Sequence, residues 1–299
     1  FEAWHLLLAR ILQAAGGCTG MLLARSIILD QHGKDKAAGM LGYITMGIAT
    51  AQAVAPTIGG YLNLAVGWQS VFWVSMVLGS IVWLGALFRL PETAGHKKDT
   101  GSLLSSFSRY KTVLSSRSYI YCALSATMVA SGFFVFMNSS PFIVDAILKG
   151  NSADYGNWFL MVAGGFWLGS LVAGKISSAA GTRRMMLVGC VISGSAAVLM
   201  LALFTLQPLS FTALFMPMAV FTFGRGLIQP NAQAAAVSST SGAVATATGM
   251  LGFMQLTIGS LVAQITPLLI GISINMLPVV LVGLALLALV CAIRGSQSE

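Results

Sequence analysis

The sequence predicts an all-α fold, a polytopic bundle of membrane-spanning helices. Of the 299 residues, 57% are hydrophobic and only 8% are charged, whereas soluble domains carry roughly 25% charged residues. The apolar residues gather into nine segments, each close to the ~20 residues that a helix needs to cross a bilayer. Backbone groups in lipid must bond within their own segment, so helices are the expected structure for all nine.

Most of the predicted spans are joined by short loops. In order along the chain they are Trp4–Ile28, Met40–Leu62, Ser70–Leu90, Ile120–Val144, Trp158–Ile176, Met185–Leu206, Phe211–Ile228, Val244–Leu268 and Met276–Ile293. The longest interval, residues 91–119, is serine-rich and basic, which is typical of a linker between two bundles. It divides the chain into residues 1–90 with three spans and residues 120–299 with six.

The sixteen Lys and Arg residues indicate how the spans are oriented. If the spans alternate, thirteen lie on one side of the membrane, only Lys149 lies on the other, and Arg10 and Arg225 fall within spans. The positive-inside rule makes the basic side cytoplasmic. The net charge of +8 is therefore a topology signal rather than a nucleic-acid-binding surface. It predicts a cytoplasmic C-terminus and an external N-terminus.

The distribution of cysteine and histidine disfavours an enzyme. The four cysteines are scattered over four apolar segments without metal-ligand or redox spacing, and the three histidines lie near span ends or in loops. The sequence contains no G-x-x-x-x-G-K-[ST] phosphate loop, which disfavours an ATP-driven pump. We therefore predict a protein that is not an enzyme and needs no cofactor or metal, with a membrane-embedded enzyme as the weaker alternative.

Residues 47–62, GIATAQAVAPTIGGYL, carry a repeated small-residue pattern. Small side chains at this spacing lie on one helix face and let two membrane helices approach closely. A proline followed by two glycines weakens helical hydrogen bonding and predicts a bend. The pattern fits either a passive packing seam or a bendable helix at the joint of a transporter. The residues concerned are Gly47, Ala51, Ala55, Pro56, Gly59 and Gly60.

Arg10 and Arg225 lie within predicted spans. A charge at the centre of a membrane helix costs about 2.5–3.5 kcal/mol on insertion scales. Arg10 lies near the start of its span, so it either extends to the outer surface or lies buried within the membrane. Arg225 lies late in its span, with Gln229 and Asn231 following. It either anchors the helix at the cytoplasmic surface or lines an inner vestibule. No acidic residue lies deep in any of the nine spans.

Two further spans carry patterns of interest. Phe133, Phe134 and Asn138 combine aromatic and hydrogen-bonding groups near Pro141, which fits a pocket for amphiphilic ligands or ordinary helix packing. The following span has a second small-residue face at positions 164, 165, 169 and 173.

Several of these motifs resemble those of the major facilitator superfamily. Residues 91–93, Pro-Glu-Thr, resemble the end of that family's sixth helix, and residues 47–62 resemble the antiporter motif of its fifth helix, with alanines at two positions where glycines are usual. Residues 10–13 resemble the fourth-helix motif with its buried arginine. Residues 174–184 resemble the basic loop between helices eight and nine, although Ser178 stands where the family has an aspartate.

Three more stretches resemble the Bcr/CflA-type drug/proton antiporters, the bicyclomycin-resistance group. They are residues 24–27 with Asp30, residues 140–142 and residues 229–232. The resemblance implies that the chain corresponds to helices four to twelve, nine of an expected twelve. It further implies that three helices precede Phe1, the first of which carries the proton-binding acid, and that the small-residue face at 164–173 packs against Gly47–Gly59.

The resemblance implies a multi-pass transporter of the bacterial inner (plasma) membrane that performs multidrug efflux by drug/proton antiport through alternating access. Its expected partners are a small amphiphilic substrate, the proton and the lipid bilayer, and its expected state is a monomer. Alternatives are a metabolite exporter of the same fold and a nonfunctional truncated transporter. The expected site residues are Arg10 for proton coupling; Gly47, Pro56, Gly59 and Gly60 for helix bending; Gln13, Phe134, Asn138, Arg225, Gln229 and Asn231 for the substrate cavity; and Arg25, Asp30, Gly174, Gly181, Arg183 and Arg184 for cytoplasmic gating loops.

Overall fold

The computed structural model describes residues 3–90, 110–111, 113–238 and 244–297. Within these ranges, the side chains at positions 3, 21–23, 25–26, 29–46, 49, 236–238, 244–245 and 296–297 lie outside the description. The described residues form eight long α-helices. They are α1 (Ala3–Val66), α2 (Gln69–Arg89), α3 (Arg117–Ala146), α4 (Ser152–Ala180), α5 (Thr182–Leu206), α6 (Phe211–Ser238), α7 (Val244–Ile270) and α8 (Met276–Gln297).

The predicted all-α membrane fold is confirmed. Seven of these helices, α2 to α8, are long and apolar enough to cross a membrane when only the described residues are considered. Their windows of highest hydropathy contain at most two charged residues each. The helices α3 to α8 correspond one to one with the last six predicted spans.

The first two predicted spans lie in one continuous helix, which differs from the expected loop between them. The helix α1 has 64 residues, about three times the ~20 that cross a bilayer. Residues 29–39 between the two spans contain two isolated glycines and no proline. Each glycine costs a helix only about 1 kcal/mol relative to alanine, so the local sequence does not end the helix there.

The turn between α1 and α2 has a clear local cause. Gly67 has a φ of +95°, a left-handed conformation that glycine adopts without steric cost and that commonly ends a helix. The Ser70 hydroxyl donates to the carbonyl oxygens of Gly67 at 2.6 Å and Leu62 at 3.1 Å. These bonds tie the start of α2 to the turn at Gly67 and to the last turns of α1.

The helix α4 begins at Ser152, earlier than the predicted span at Trp158. The Asn151 side chain accepts hydrogen bonds from the backbone N–H groups of Ala153 and Asp154, each at 2.9 Å. The Asp154 carboxylate in turn accepts from the backbone N–H of Asn151 at 2.9 Å. This reciprocal capping box starts the helix with polar residues, which a search for apolar stretches does not detect.

The chain divides into two compact units, described separately. One comprises Phe1–Gln52 with Phe72–Thr100, and the other comprises Ala53–Val71 with Gly101–Glu299. In the second unit, α6 packs against α3, α4 and α5, while α3 also packs against α7 and α8. The predicted division at residues 91–119 stays a prediction, because most of that linker lies outside the described residues.

Glycines bring the backbones of α4 and α6 into contact. A Cβ atom added at Gly165 would meet the carbonyl oxygen of Ala219, and one added at Gly169 would meet that of Phe223. Such contacts are typical of membrane helices, where small residues permit close packing. The expectation that this face of α4 packs against Gly47–Gly59 is therefore wrong, because the face is occupied by α6.

Candidate functional site

Arg225 lies at the middle of α6. The predicted span ends at Ile228, whereas the helix continues to Ser238 and contains Pro230 within it. Polar residues in the last turns lower the local hydropathy without ending the helix. Arg225 is therefore 14 residues from the first residue of α6 and 13 from the last, and its position relative to the membrane stays a prediction.

Two phenylalanine rings flank the Arg225 guanidinium. Its Cζ atom lies 4.3 Å from the ring centroid of Phe133 on α3 and 4.9 Å from that of Phe166 on α4. Both phenylalanines are near the middle of their own helices. A cation within ~6 Å of an aromatic face gains roughly 0.5–2 kcal/mol, which offsets part of the cost of an interior charge. These contacts favour the interior position over an anchor at the cytoplasmic surface.

The residues on either side of Arg225 explain why it is enclosed. A Cβ atom added at Gly224 would meet the Ser193 hydroxyl on α5, and one added at Gly226 would meet the backbone of Phe166 on α4. The Ser193 hydroxyl also donates to the carbonyl oxygen of Phe221 at 3.0 Å. Because neither glycine has a side chain, α4 and α5 close around α6 on both sides of the arginine.

One helical turn beyond Arg225, two glutamines form a reciprocal amide pair. The Gln229 Nε2 group donates to Gln255 Oε1 at 3.3 Å, and the Gln255 Nε2 group donates to Gln229 Oε1 at 3.1 Å. The pair joins α6 to α7 and satisfies one donor and one acceptor of each amide. We name Arg225, Phe133, Phe166, Gln229 and Gln255 together the arginine–aromatic cluster.

The other predicted cavity residues of this unit make different contacts. The Asn138 amide donates to the carbonyl oxygen of Ala263 at 2.7 Å, and the Phe134 ring packs against Gly259. Both contacts join α3 to α7. The buried Asn231 amide donates to the carbonyl oxygen of Leu227 in its own helix at 2.7 Å. Gln229, one of the predicted cavity residues, thus lies one helical turn from Arg225 on α6.

Arg10 lies in the first compact unit and has an amide and a ring as neighbours. Its Nη1 group donates to Gln13 Oε1 at 2.8 Å, and its Cζ atom lies 4.7 Å from the ring centroid of Phe72 on α2. The sequence pairs Arg10 with Gln13 in one motif, and the structure joins the two side chains directly.

The end of α1 meets the beginning of α4 at what we call the glycine crossing, formed by Gly60 and Gly156. A Cβ atom added at Gly60 would meet the carbonyl oxygen of Ser152 and would lie 3.2 Å from the Cα atom of Ala153. One added at Gly156 would lie 2.6 Å from the Cα atom of Thr57. No side chain larger than hydrogen fits at either position without displacing backbone.

Four side-chain hydrogen bonds surround the glycine crossing. Thr57 Oγ1 donates to the Gly156 carbonyl oxygen at 2.8 Å, and Ser152 Oγ donates to the Gly60 carbonyl oxygen at 3.1 Å. Asn63 Nδ2 donates to Ser152 Oγ at 3.0 Å, and Asn157 Nδ2 donates to the Tyr61 hydroxyl at 3.1 Å. The two helices are therefore joined by backbone contact and polar side chains rather than by interlocking apolar groups.

The crossing uses a different face of α1 from the one that the four-residue repeat predicts. Gly47 and Gly59 have open space where a Cβ atom would stand, whereas Gly60 is in tight contact. The face in contact carries Thr57, Gly60 and Asn63. The helix continues through Pro56, so the predicted bend stays a prediction.

A family model described as Major Facilitator Superfamily matches residues 2–264 of this chain. The chain belongs to the major facilitator superfamily. It is thus a member of a family of membrane transporters, and the resemblance seen in its motifs is confirmed.

Relatives of this major facilitator chain are similar over most of its length, at low identity. A "Bicyclomycin resistance protein homolog" from Haemophilus influenzae is 23% identical over 86% of the chain and 64% of its own length. "Multidrug resistance protein D" from Escherichia coli is 25% identical over 85% of the chain and 63% of its own length. An "Uncharacterized MFS-type transporter YdgK" from Bacillus subtilis is 23% identical over 90% of the chain. The chain spans 66% of the length of this last relative.

A solved structure supports the fold of this major facilitator chain. A bacterial homologue of the human lysosomal transporter Spinster, in an inward-facing and unoccupied conformation, matches with a TM-score of 0.68. The match covers 92% of this chain and 74% of that one at 16% identity. At this identity the likeness supports the fold alone.

The predicted gating-loop residues of this major facilitator chain are described only in part. Arg25 and Asp30 lie in α1, and their side chains are outside the described residues. Gly181 has a φ of +86° between α4 and α5. Arg183 donates through Nη2 to the Ser118 hydroxyl at 3.3 Å, which joins the start of α5 to the start of α3. Gly174 and Arg184 are exposed.

Sequence reasoning missed three residues of these sites: Phe166, Gln255 and Gly156. Gln255 carried a usable signal, because a lone amide within an apolar span needs a hydrogen-bonding partner. Gly156 lies in the polar start of α4, before the predicted span. Phe166 resembles many other aromatic residues in the sequence, and only the packing of α4 against α6 distinguishes it.

Proposed function

We propose that this major facilitator protein is a multidrug efflux transporter that exchanges small amphiphilic molecules for protons by alternating access. The names of its relatives support the substrate class, since one is named for bicyclomycin resistance and others for multidrug resistance.

The arginine–aromatic cluster gives the strongest structural support. Ionisable residues within membrane helices are costly and mark substrate or ion pathways. In this cluster a cation is held between two phenylalanine rings, one turn from a pair of amides. Ligand sites combine apolar and aromatic walls with a few polar groups that fix orientation. An amphiphilic molecule has the matching combination of a flat apolar body and a polar group.

In this proposal the predicted site residues divide into three roles. Arg10, hydrogen-bonded to Gln13, takes part in proton coupling. The substrate cavity is lined by Gln13, Phe134, Asn138, Arg225, Gln229 and Asn231. The loops that carry Arg25, Asp30, Gly174, Gly181, Arg183 and Arg184 control access from the cytoplasm.

The glycine crossing would act as the external gate. The positive-inside rule places the Lys149 side of the membrane outside, and α4 begins on that side shortly after Lys149. The crossing therefore lies near the external surface in the proposed topology, with the C-terminus in the cytoplasm. Its small residues and polar bonds suit a contact that separates and forms again without rearranging a packed apolar core.

Transport driven by an imposed pH gradient tests the proposal. The protein is reconstituted into liposomes that contain ethidium, and export is followed by fluorescence with and without an inward proton gradient. We expect export to require the gradient and to stop when a protonophore collapses it. Export at the same rate in both conditions would contradict proton antiport. Transport of amino acids but not of dyes would favour the metabolite-exporter alternative.

A further inference from the structure

Arg225 has no acidic partner among the described residues of the bundle around it. Between Asp154 and the final residue, Glu299, the sequence contains no Asp or Glu. The two acids of the described bundle, Asp145 and Asp154, lie at the end of α3 and the start of α4. Each is twelve residues from the phenylalanine of its helix that contacts Arg225, which corresponds to ~18 Å along the helix.

Among the side chains that the structure describes, the Arg225 guanidinium also has no hydrogen-bonding partner. Its Nε atom is buried without a partner, and the side chain makes no hydrogen bond to any residue whose side chain the structure describes. Phenylalanine rings attract a cation but accept no conventional hydrogen bond. A guanidinium presents five N–H donors in a planar fork that matches the two oxygens of a carboxylate. An interior charge of this kind is normally paired.

The other groups nearby indicate what kind of molecule would complete the site. Phe133 and Phe166 provide flat apolar surface beside the cation, and the Gln229–Gln255 pair retains donors and acceptors one turn away. The three features together match an organic anion with an aromatic body. Arginine does not titrate at physiological pH, so the positive charge is permanent and does not itself carry the transported proton.

We propose that Arg225 is an anion-recognition site and that the substrates of this protein include amphiphiles bearing a carboxylate or a similar anionic group. This inference deepens the proposed function, on which its transport consequence rests. A carboxylate would receive two N–H bonds from the guanidinium, which lies over the faces of Phe133 and Phe166, while its apolar body extends beside these two rings.

Two dyes with the same xanthene framework and opposite charge test the proposal. Fluorescein carries a carboxylate and rhodamine 123 is a cation. Binding of each dye to the purified full chain in detergent is measured by fluorescence anisotropy. We expect fluorescein to bind and Arg225→Gln to weaken its binding roughly ten- to hundredfold, because a hydrogen bond to a charged group contributes about 1.5–3 kcal/mol. Arg225→Lys keeps the charge without the fork and should give an intermediate affinity.

The matched control is Arg294→Gln, which removes an exposed cation in the last turn of α8. It should leave fluorescein binding unchanged. Rhodamine 123 affinity should not fall in Arg225→Gln. Equal fluorescein binding by wild type and Arg225→Gln, or an equal loss in Arg294→Gln, would overturn the proposal.

A competition experiment keeps the test decisive if Arg225→Gln does not fold. Benzoate should displace fluorescein from the wild-type chain, whereas benzylamine, of similar size and opposite charge, should not. Displacement by both, or by neither, counts against an anion site. Binding is measured without a pH gradient, so a failure here is separate from a failure of proton-driven export.

Discussion

Adjacent glycines in α1 have opposite surroundings. Gly59 faces open space, and Gly60 contacts the backbone of α4. The sequence identifies both as small residues in a motif, because small side chains recur near them. It does not show which of the two is in contact, because that depends on the rotation of α1 relative to α4. The choice between neighbouring residues is therefore a property of the packed structure.

Gly60→Ala should impair transport, and Gly59→Ala should have a small effect. The added methyl group at Gly60 would displace backbone of α4, and overpacking of this kind costs about 1–3 kcal/mol. That cost corresponds to a roughly five- to hundredfold change in the equilibrium of the crossing. The measurement is export driven by a pH gradient, normalised to the amount of protein in the membrane. Similar export by both variants would show that the contact is unimportant.

Arg10→Ala should abolish the dependence of export on the pH gradient. The substitution removes the cation that contacts Gln13 and the ring of Phe72, and with it the proposed coupling group. Arg10→Lys, which keeps a charge but not the fork, should retain part of the dependence. The measurement is the initial rate of export at several external pH values. An unchanged pH profile in Arg10→Ala would exclude this role.

At the scale of the helix, apolar length predicts the spans better than it predicts where helices end. The spans of α3 to α8 follow directly from runs of apolar residues. The early start of α4 depends on the polar Asn151–Asp154 capping box, and the late end of α6 includes Pro230 and several polar residues. The missing break in α1 has a similar cause, since hydropathy falls between residues 29 and 39 while helix-forming residues continue.

The packing of α4 against α6 shows a second limit of prediction from sequence. The small-residue face of α4 was correctly identified as a close-packing surface, but its partner is α6. Sequence periodicity shows which residues share a face. It does not show which of several apolar helices lies opposite, because all offer similar surfaces to one another in lipid.

Gln255→Leu should destabilise the contact between α6 and α7. It leaves the Gln229 amide without its partner, and hydrogen bonds between membrane helices contribute about 0.5–2 kcal/mol. Replacing both glutamines by leucine should cost less than the sum of the single changes, because no amide is then left unpaired. Thermal unfolding of the four proteins in detergent measures this coupling. Strictly additive losses would show that the two amides are not energetically coupled.

At the scale of the whole molecule, the family and the membrane fold could be recognised from the sequence, whereas the sites could be recognised only in part. Arg225, Gln229, Arg10 and Gln13 stand out as polar residues within apolar spans. Phe166 and Gly156 do not stand out, because their importance arises from contacts between residues that are distant along the chain. The topology remains a prediction from the distribution of basic residues.

Covalent closure of the glycine crossing should stop transport. The Asn63 and Ser152 side chains are 3.0 Å apart at their hydrogen-bonding atoms, so Asn63→Cys and Ser152→Cys place two thiols within reach of a short bifunctional reagent. The four native cysteines are first changed to serine. We expect cross-linking to block export and reduction to restore it. Each single-cysteine protein serves as a control and should be unaffected by the reagent.

Continued export by the cross-linked protein would show that the crossing stays closed throughout the transport cycle. That result would assign the moving contact to another pair of helices, and the crossing would then be a fixed packing contact.

The glycines of the crossing also have a thermodynamic consequence. Glycine has no side-chain rotamers, so bringing Gly60 against Gly156 freezes none, whereas ordering a long side chain costs up to about 2 kcal/mol of conformational entropy. Only five short or planar side chains form the four hydrogen bonds and lose freedom when the helices meet: Thr57, Tyr61, Asn63, Ser152 and Asn157. If the crossing opens and closes as proposed, the contact forms and separates with little side-chain entropy change, which favours rapid exchange between the open and closed states.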